Sequence, residues 1–301
     1  MMQTTDGAAE ESRDALPAPA PDRLRVLARI AEYERLGYFD RDVEDDPPTR
    51  PLEPGEVDYT YRRLRSRIAA RIANRSAVRY FEGCLKRGDF MLDGVTGQEH
   101  FSALRDRGAL LVCNHFNPFD NYAVYRAIRP QLGRRPLYKV IREGNYTSFP
   151  GLFGYFFRHC HTLPLGSKLA VIREMTAAAD TLLRRGEKIL IYPEQGMWWN
   201  YKKPRPVKVG AFRFAAKAEV PTLPIFITLR EDRRIGSDGF PVLGYTVHLL
   251  DPIFPDPAKS VRDNAAAMAR QTYDSWRRVY EKTYGIPLTY TTEGTVSPCS
   301  I

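Results

Sequence analysis

The stretch ALLVCNHFNPFDNYAVYRAI, residues 109–128, decides the fold because its character changes at the midpoint. Ala109 to Cys113 is a short, uniformly apolar run of the kind that makes a buried strand, and Asn117-Pro118 marks a turn behind it. Asp120 stands where a helix N-cap or first turn falls, and the helix it opens carries Tyr122, Ala123, Tyr125 and Ile128. A strand therefore delivers His115 to its C-terminal edge, and the tight turn brings a carboxylate back toward it. An imidazole titrates near neutrality and can take a proton from an alcohol, while a carboxylate on its other nitrogen fixes the tautomer and stabilises the imidazolium. Such a pair activates a hydroxyl without a serine or cysteine nucleophile. Taken alone, a His-x4-Asp spacing is equally well a turn cap beside a helix cap.

Working outward, strands expected at 136–141, 161–165 and 188–192 alternate with helices at Lys168–Arg185 and Val209–Ala218, and further strands follow at 223–228 and 245–250. This alternation predicts an α/β fold with a mostly parallel central sheet flanked by helices, preceded by an N-terminal helical region. Ligands of such sheets sit at the C-terminal strand edge, where both His115 and Glu194, in Tyr192-Pro193-Glu194-Gln195-Gly196, fall.

The expected organisation is a region 1–56 holding a disordered tail, a short helix from Asp22 to Leu36 and an acidic proline-rich linker or surface arm. A basic amphipathic helix region follows at 57–90, then the α/β domain at 91–258 and a C-terminal helix with a loose tail at 259–301. The basic helix, about Tyr59 to Leu85, sets Tyr61, Leu64, Ile68, Ile72, Val78 and Phe81 among seven arginines at 62, 63, 65, 67, 71, 75 and 79. That composition suits packing against its own domain or contact with a membrane surface.

With 301 residues and 43% hydrophobic content the chain can bury a large core. It has no run of roughly 18 apolar residues to span a bilayer, and its acidic, Pro/Ala-rich N-terminus lacks a secretory apolar region. The four cysteines, Cys84, Cys113, Cys160 and Cys299, show no paired spacing, as in reduced cytosolic thiols. A net charge of +9 favours acidic partners, but no nucleic-acid-binding signature accompanies it, which leaves anionic lipid, coenzyme A or an acidic carrier protein. A cytoplasmic protein, soluble or lying on a membrane surface, is expected.

Taken together, NHFNPFD, the later YPEQG and VPTLPIFI at 220–227 resemble the glycerolipid acyltransferase family, the lysophosphatidic acid acyltransferases and their relatives, over roughly residues 85–255. The resemblance implies that His115 is the base that deprotonates the acceptor hydroxyl, that Asp120 orients it, and that Asn114, Glu194 and Gly196 belong to the acceptor or phosphate site. Where the family has Gly-Thr-Arg, this chain has Gln195-Gly196-Met197, so the phosphate-binding arginine is missing and Lys202, Lys203 and Arg205 lie just beyond. The segment SFPGLFGYFFRHCHTLPLGSK has the texture of another family motif, with Ser167-Lys168 in place of its arginine, and Lys139 and Arg142 in YKVIREG resemble the family's basic residue before a glutamate. Lys139, Arg142, Lys168, Lys202 and Lys203 are thus the candidate headgroup cations.

The implied activity is transfer of a fatty acyl group from acyl-coenzyme A or acyl carrier protein to a hydroxyl of a lysophospholipid-like acceptor, with no metal or bound cofactor. It implies work on an anionic membrane surface, peripheral to the inner face of the cell membrane, and no nucleic acid. A glycolipid or aminolipid acceptor, or a catalytically inactive membrane- or partner-binding relative, are the alternatives. His159-Cys160-His161, read on a strand, sends its histidines to one side and the thiol to the other, with no second ligand group at zinc-like spacing. Met197-Trp198-Trp199 suits an acyl chain or bilayer interface, or packing under the active-site edge.

Overall fold

A computed structural model describes residues 17–45 and 48–300; the first sixteen residues of the expected disordered tail lie outside the described residues. In chain order, α1 (Pro21–Leu36) and α2 (Leu64–Arg87) precede β1 (Met91–Thr96), α3 (Gln98–Ser102), β2 (Ala109–Cys113) and α4 (Asp120–Leu132). Then come β3 (Leu137–Arg142), α5 (Glu143–Thr147), α6 (Gly151–His159), β4 (Thr162–Leu165), α7 (Leu169–Arg184) and β5 (Lys188–Ile191). The chain finishes with β6 (Val207–Lys208), a 3-10 turn into α8 (Arg213–Ala218), β7 (Thr222–Ile235), β8 (Pro241–Leu249), α9 (Val261–Tyr284) and β9 (Cys299–Ser300).

The seven-stranded sheet runs β1-β8-β7-β2-β5-β3-β4. All its pairings are parallel except β7 with β8, so the expected mostly parallel sheet is what the chain forms. Every residue of β2 is buried, and the pleat divides them. Leu110 and Val112 join the core under α7, α8 and α9, against Met175, Leu182 and Trp276. Ala109, Leu111 and Cys113 join the opposite core, against Phe81 of α2, Phe101 of α3 and Val124 and Ile128 of α4. Each of these buried Leu and Val side chains contributes about 1.5–3 kcal/mol. The arrangement pins β2 from both faces and fixes where its C-terminal end points.

Several expected boundaries move for physical reasons. The basic helix begins at Leu64 rather than Tyr59, because Asp58 accepts the Arg62 and Arg63 N–H groups at 3.1 and 2.9 Å and Tyr61 takes a left-handed conformation, φ 51°. Freed from the helix, Tyr59 is buried and donates its hydroxyl to Pro164 O at 2.9 Å. Strand β7 outruns the expected 223–228 because only Thr222–Leu229 are buried, and the polar Arg230–Ile235 continue as an antiparallel ribbon with no apolar pattern to reveal it. The acidic proline-rich segment is an arm laid on the domain, with Val43 and Leu52 fully buried and Leu52 N–H donated to Glu143 Oε2 at 3.0 Å. The C-terminal tail is not loose: Val207↔Cys299 and Lys208↔Ser300 pair as a second, two-stranded sheet.

Candidate active site

Because β2, β5, β3 and β4 are parallel, their C-terminal ends share one edge of the sheet, and His115, Glu194 and Arg142 all stand there. His115 Nδ1 lies 2.7 Å from Asp120 Oδ2. Asp120 is 1% exposed, yet its carboxylate is fully served: Oδ2 also accepts the Phe116 and Asn117 N–H groups at 3.2 and 3.4 Å, and Oδ1 accepts the Tyr192 hydroxyl at 2.7 Å. The Tyr192 ring stacks on the imidazole, centroids 4.1 Å apart. Burial first, then the Asp120 charge, pushes the Tyr192 phenol far above its ordinary value, so it stays a donor. Among the described residues nothing hydrogen-bonds His115 Nε2, and the side chain keeps 23% of its surface exposed. One nitrogen is thus anchored and the other faces solvent, which is the arrangement a general base needs.

Behind His115, Glu194 Oε2 accepts the His115 N–H at 3.0 Å and pairs with Arg205 Nη2 at 3.2 Å, while Oε1 accepts the Arg205 N–H at 2.7 Å. Both members of this pair are almost fully buried, 2% and 1% exposed. Arg205 also donates to Phe39 O and Gly196 O, so its fork is satisfied inside the protein. Burial lowers the Arg205 guanidinium below its ordinary value, and the Glu194 carboxylate beside it partly offsets this. Trp198 N–H donates to His115 O at 3.2 Å and Asn200 N–H to Phe116 O at 2.8 Å, so the loop after β5 is stitched to the loop after β2.

The remaining candidates scatter. Asn114 is buried and clasps β7, accepting Ile227 N–H at 2.8 Å and donating to Ile227 O at 3.1 Å, a structural tie directly under His115. Lys139 sits within β3, short of the edge, donating to Leu137 O at 3.3 Å, and burial pushes its ammonium down. Lys168 pairs with Glu53 at 2.5 Å, Lys202 with Glu231 at 2.7 Å and Lys203 with Glu34 at 2.6 Å, three separate carboxylates. Arg142 does come to the site, paired with Asp42 of the arm. A Cβ on Gly196 would lie 2.5 Å from Asp42 Oδ1 and 3.5 Å from Arg142 Nη2, so the close approach that requires glycine here is made by Asp42. Trp198 and Trp199 are buried under α1 with Val26, Ile30 and Phe39, which selects packing over an apolar tip. His159 ends α6, Cys160 caps it and His161 has φ 54°, so the three do not alternate on a strand.

An open groove of about 390 Å³ adjoins this edge, lined by Thr49, Arg142, Asn145, Phe149, Leu165 and Ser167. Residues 94–228 match the family model described as Acyltransferase. The matched stretch holds His115, Asp120, Glu194 and Arg205. It contains the three motifs on which the resemblance to glycerolipid acyltransferases rests. Among solved structures, the 1-acyl-sn-glycerophosphate (LPA) acyltransferase PlsC from Thermotoga maritima is similar at 17% identity and a TM-score of 0.44, covering 74% of this chain and 81% of its own. No curated protein matches the chain. Within residues 94–228, Tyr192 and Asn200 escape sequence reasoning, and Arg205 reads only as a cation near the motif. Tyr192 stands at a strand end two residues before Glu194, and an aromatic there was the available signal.

Proposed function

We propose that the protein transfers a fatty acyl group from a thioester, acyl-coenzyme A or acyl carrier protein, to a hydroxyl of a lysophospholipid-like acceptor. The observation that carries this reading is the His115–Asp120 pair, 2.7 Å apart, with Nε2 left to the solvent side. Nε2 takes the hydroxyl proton as the oxygen attacks the thioester carbonyl, and Asp120 stabilises the imidazolium. When the tetrahedral intermediate collapses the carbon–sulfur bond breaks, and the imidazolium returns the proton to the departing sulfur. The side chains named here need no metal or bound cofactor for these steps. Purified protein given palmitoyl-coenzyme A and a panel of lysolipids should release free thiol together with acylated product. Release that persists unchanged in a folded His115→Ala protein would refute the mechanism.

Work at an anionic membrane surface, peripheral to the inner face of the cell membrane, fits the face formed by α2 and α6. Leu64, Ile68 and Ile72 are 68%, 52% and 53% exposed among the exposed arginines 65, 67, 71 and 75, and Leu152 and Phe153 of α6 are exposed too. The two helices pack through Ala73, Phe156 and Cys160. No helix among the described residues is long and apolar enough to cross a membrane. Binding to anionic vesicles that salt reverses is the expected behaviour; equal binding to neutral vesicles would refute it.

A further inference from the structure

His115 is held by its backbone as well as by its ring. Glu194 Oε2 accepts the His115 N–H at 3.0 Å, and the Trp198 N–H is donated to His115 O at 3.2 Å. Both bonds come from one loop, residues 194–205 after β5, so the placement of that loop sets the placement of His115. No helix or strand spans the loop, and Gln195 and Asn200 stand in the left-handed region, φ 70° and 56°. Backbone of this kind persists only where its surroundings over-determine it.

Those surroundings are supplied by α1 and the turn behind it. Gly37, φ 72°, ends the helix and turns the chain, so that Phe39 O accepts Arg205 Nη1 at 2.9 Å and Arg41 O accepts the Trp198 indole N–H at 3.0 Å. Glu34, in the last turn of α1, is only 6% exposed. Its Oε2 accepts the Tyr201 hydroxyl at 2.9 Å, and its Oε1 accepts Lys203 Nζ at 2.6 Å and the Thr291 N–H at 2.8 Å. Burial first, then the Glu34 charge, pushes the Tyr201 phenol far above its ordinary value, so it stays a donor. A buried carboxylate is costly unless donors surround it, and here the donors come from the loop and the C-terminal tail. One side chain therefore joins three segments that are distant in sequence. Glu34 and Thr291 lie outside residues 94–228, in the segments that flank the matched stretch.

We propose, resting on the acyl-transfer reading, that Glu34 is a positioning residue: through Tyr201 and Lys203 it fixes the loop that sets the His115 backbone, and so governs turnover rather than substrate affinity.

The test compares the full chain with its Glu34→Ala, Glu34→Gln and Tyr201→Phe variants, using palmitoyl-coenzyme A and the lysolipid that wild type acylates fastest. Glu34→Ala should lower kcat about tenfold and leave the KM of donor and acceptor within about twofold. Glu34→Gln keeps the size and an acceptor oxygen, so its kcat should return to within about threefold of wild type. A raised KM with kcat unmoved, or a Gln variant no better than the Ala variant, overturns the proposal. Independently of turnover, amide hydrogen exchange read by mass spectrometry should run at least about tenfold faster across residues 194–205 in Glu34→Ala, with α7 unchanged. Equal acceleration in both segments, or none in the loop, makes Glu34 ordinary packing and overturns its role. Should Glu34→Ala fail to fold, Tyr201→Phe removes a single bond and should show the same pattern, about threefold in kcat and in loop exchange; wild-type behaviour there overturns the proposal. If wild type acylates no acceptor at all, the acyl-transfer reading falls, while the exchange comparison still judges whether Glu34 holds the loop.

Discussion

Two histidines in this molecule each lie against a tyrosine ring and meet different groups at Nδ1. His115 stacks on Tyr192 with ring centroids 4.1 Å apart and is bound at Nδ1 by the Asp120 carboxylate at 2.7 Å. His161 lies against Tyr61 at 4.5 Å and meets the Asn74 amide at Nδ1, 3.0 Å away. A carboxylate welcomes a proton on the ring, and a neutral amide does not. With burial first and Lys139 second, the His161 pKa falls to about 3. His161 is held neutral as part of the packing. An aromatic neighbour alone therefore does not distinguish the two; burial and the groups around each ring do.

The largest way to break the comparison is His115→Ala, which should lower kcat/KM by about 10²- to 10⁴-fold without changing the melting temperature, measured by thiol release beside a thermal melt. Activity close to wild type would remove the distinction altogether. Asp120→Asn converts the environment of His115 into the kind His161 has, and the loss should be on the order of 10³-fold with the fold intact. A neutral amide that supported turnover would show that the partner does not matter.

Glu194→Gln tests the support behind the base rather than the base itself. It leaves Arg205 charged and buried, so the folded state should lose roughly 3–5 kcal/mol in denaturant melts, and adding Arg205→Met should restore much of it. No loss in the single variant would mean that this pair holds nothing.

The second histidine makes its own prediction. An unfolded chain protonates His161 near about 6.5, whereas the folded one does so near about 3. The unfolded state therefore binds the extra proton in that window, and the contribution of His161 is complete above about 6.5 and declines as pH falls toward 3. His161→Gln should flatten the fall in Tm between pH 7 and pH 4 and leave activity at neutral pH unchanged; an unaltered acid profile would contradict its assignment. The smallest effect is expected from Lys202→Ala with Lys203→Ala. Each lysine already has its own carboxylate partner, so the acceptor KM should move less than about threefold, and a tenfold rise would return them to the headgroup site.

What could be read in advance follows the distance between partners along the chain. His115 and Asp120 are five residues apart, and β2, the turn and α4 are local patterns that hydrophobic periodicity reports directly. The parallel sheet came from alternation of elements, again a local signal. By contrast Tyr192 meets Asp120 across 72 positions and Asp42 meets Arg142 across 100, and neither leaves a trace in spacing. Trp198 and Trp199 illustrate the same limit: beside three cations they read equally as an apolar tip or as packing, and only the docking of α1 decides for packing. Likewise β1, read as Met-Leu-Asp-Gly-Val-Thr, has no alternation and exists because the edge of β8 offers it a ladder.

The second small sheet bears on the order in which the site is completed during synthesis. Lys208 N–H is donated to Pro193 O at 2.9 Å and Val207 N–H to Pro298 O at 3.0 Å, and the Tyr290 hydroxyl is donated to Pro204 O. The loop that steadies His115 is therefore fastened by residues made about ninety positions later. A nascent chain released as far as Leu249 already contains the whole central sheet and both members of the His115–Asp120 pair. It still lacks this fastening until translation has passed Ser300, so the pair is made first and its supporting loop is secured about ninety residues later.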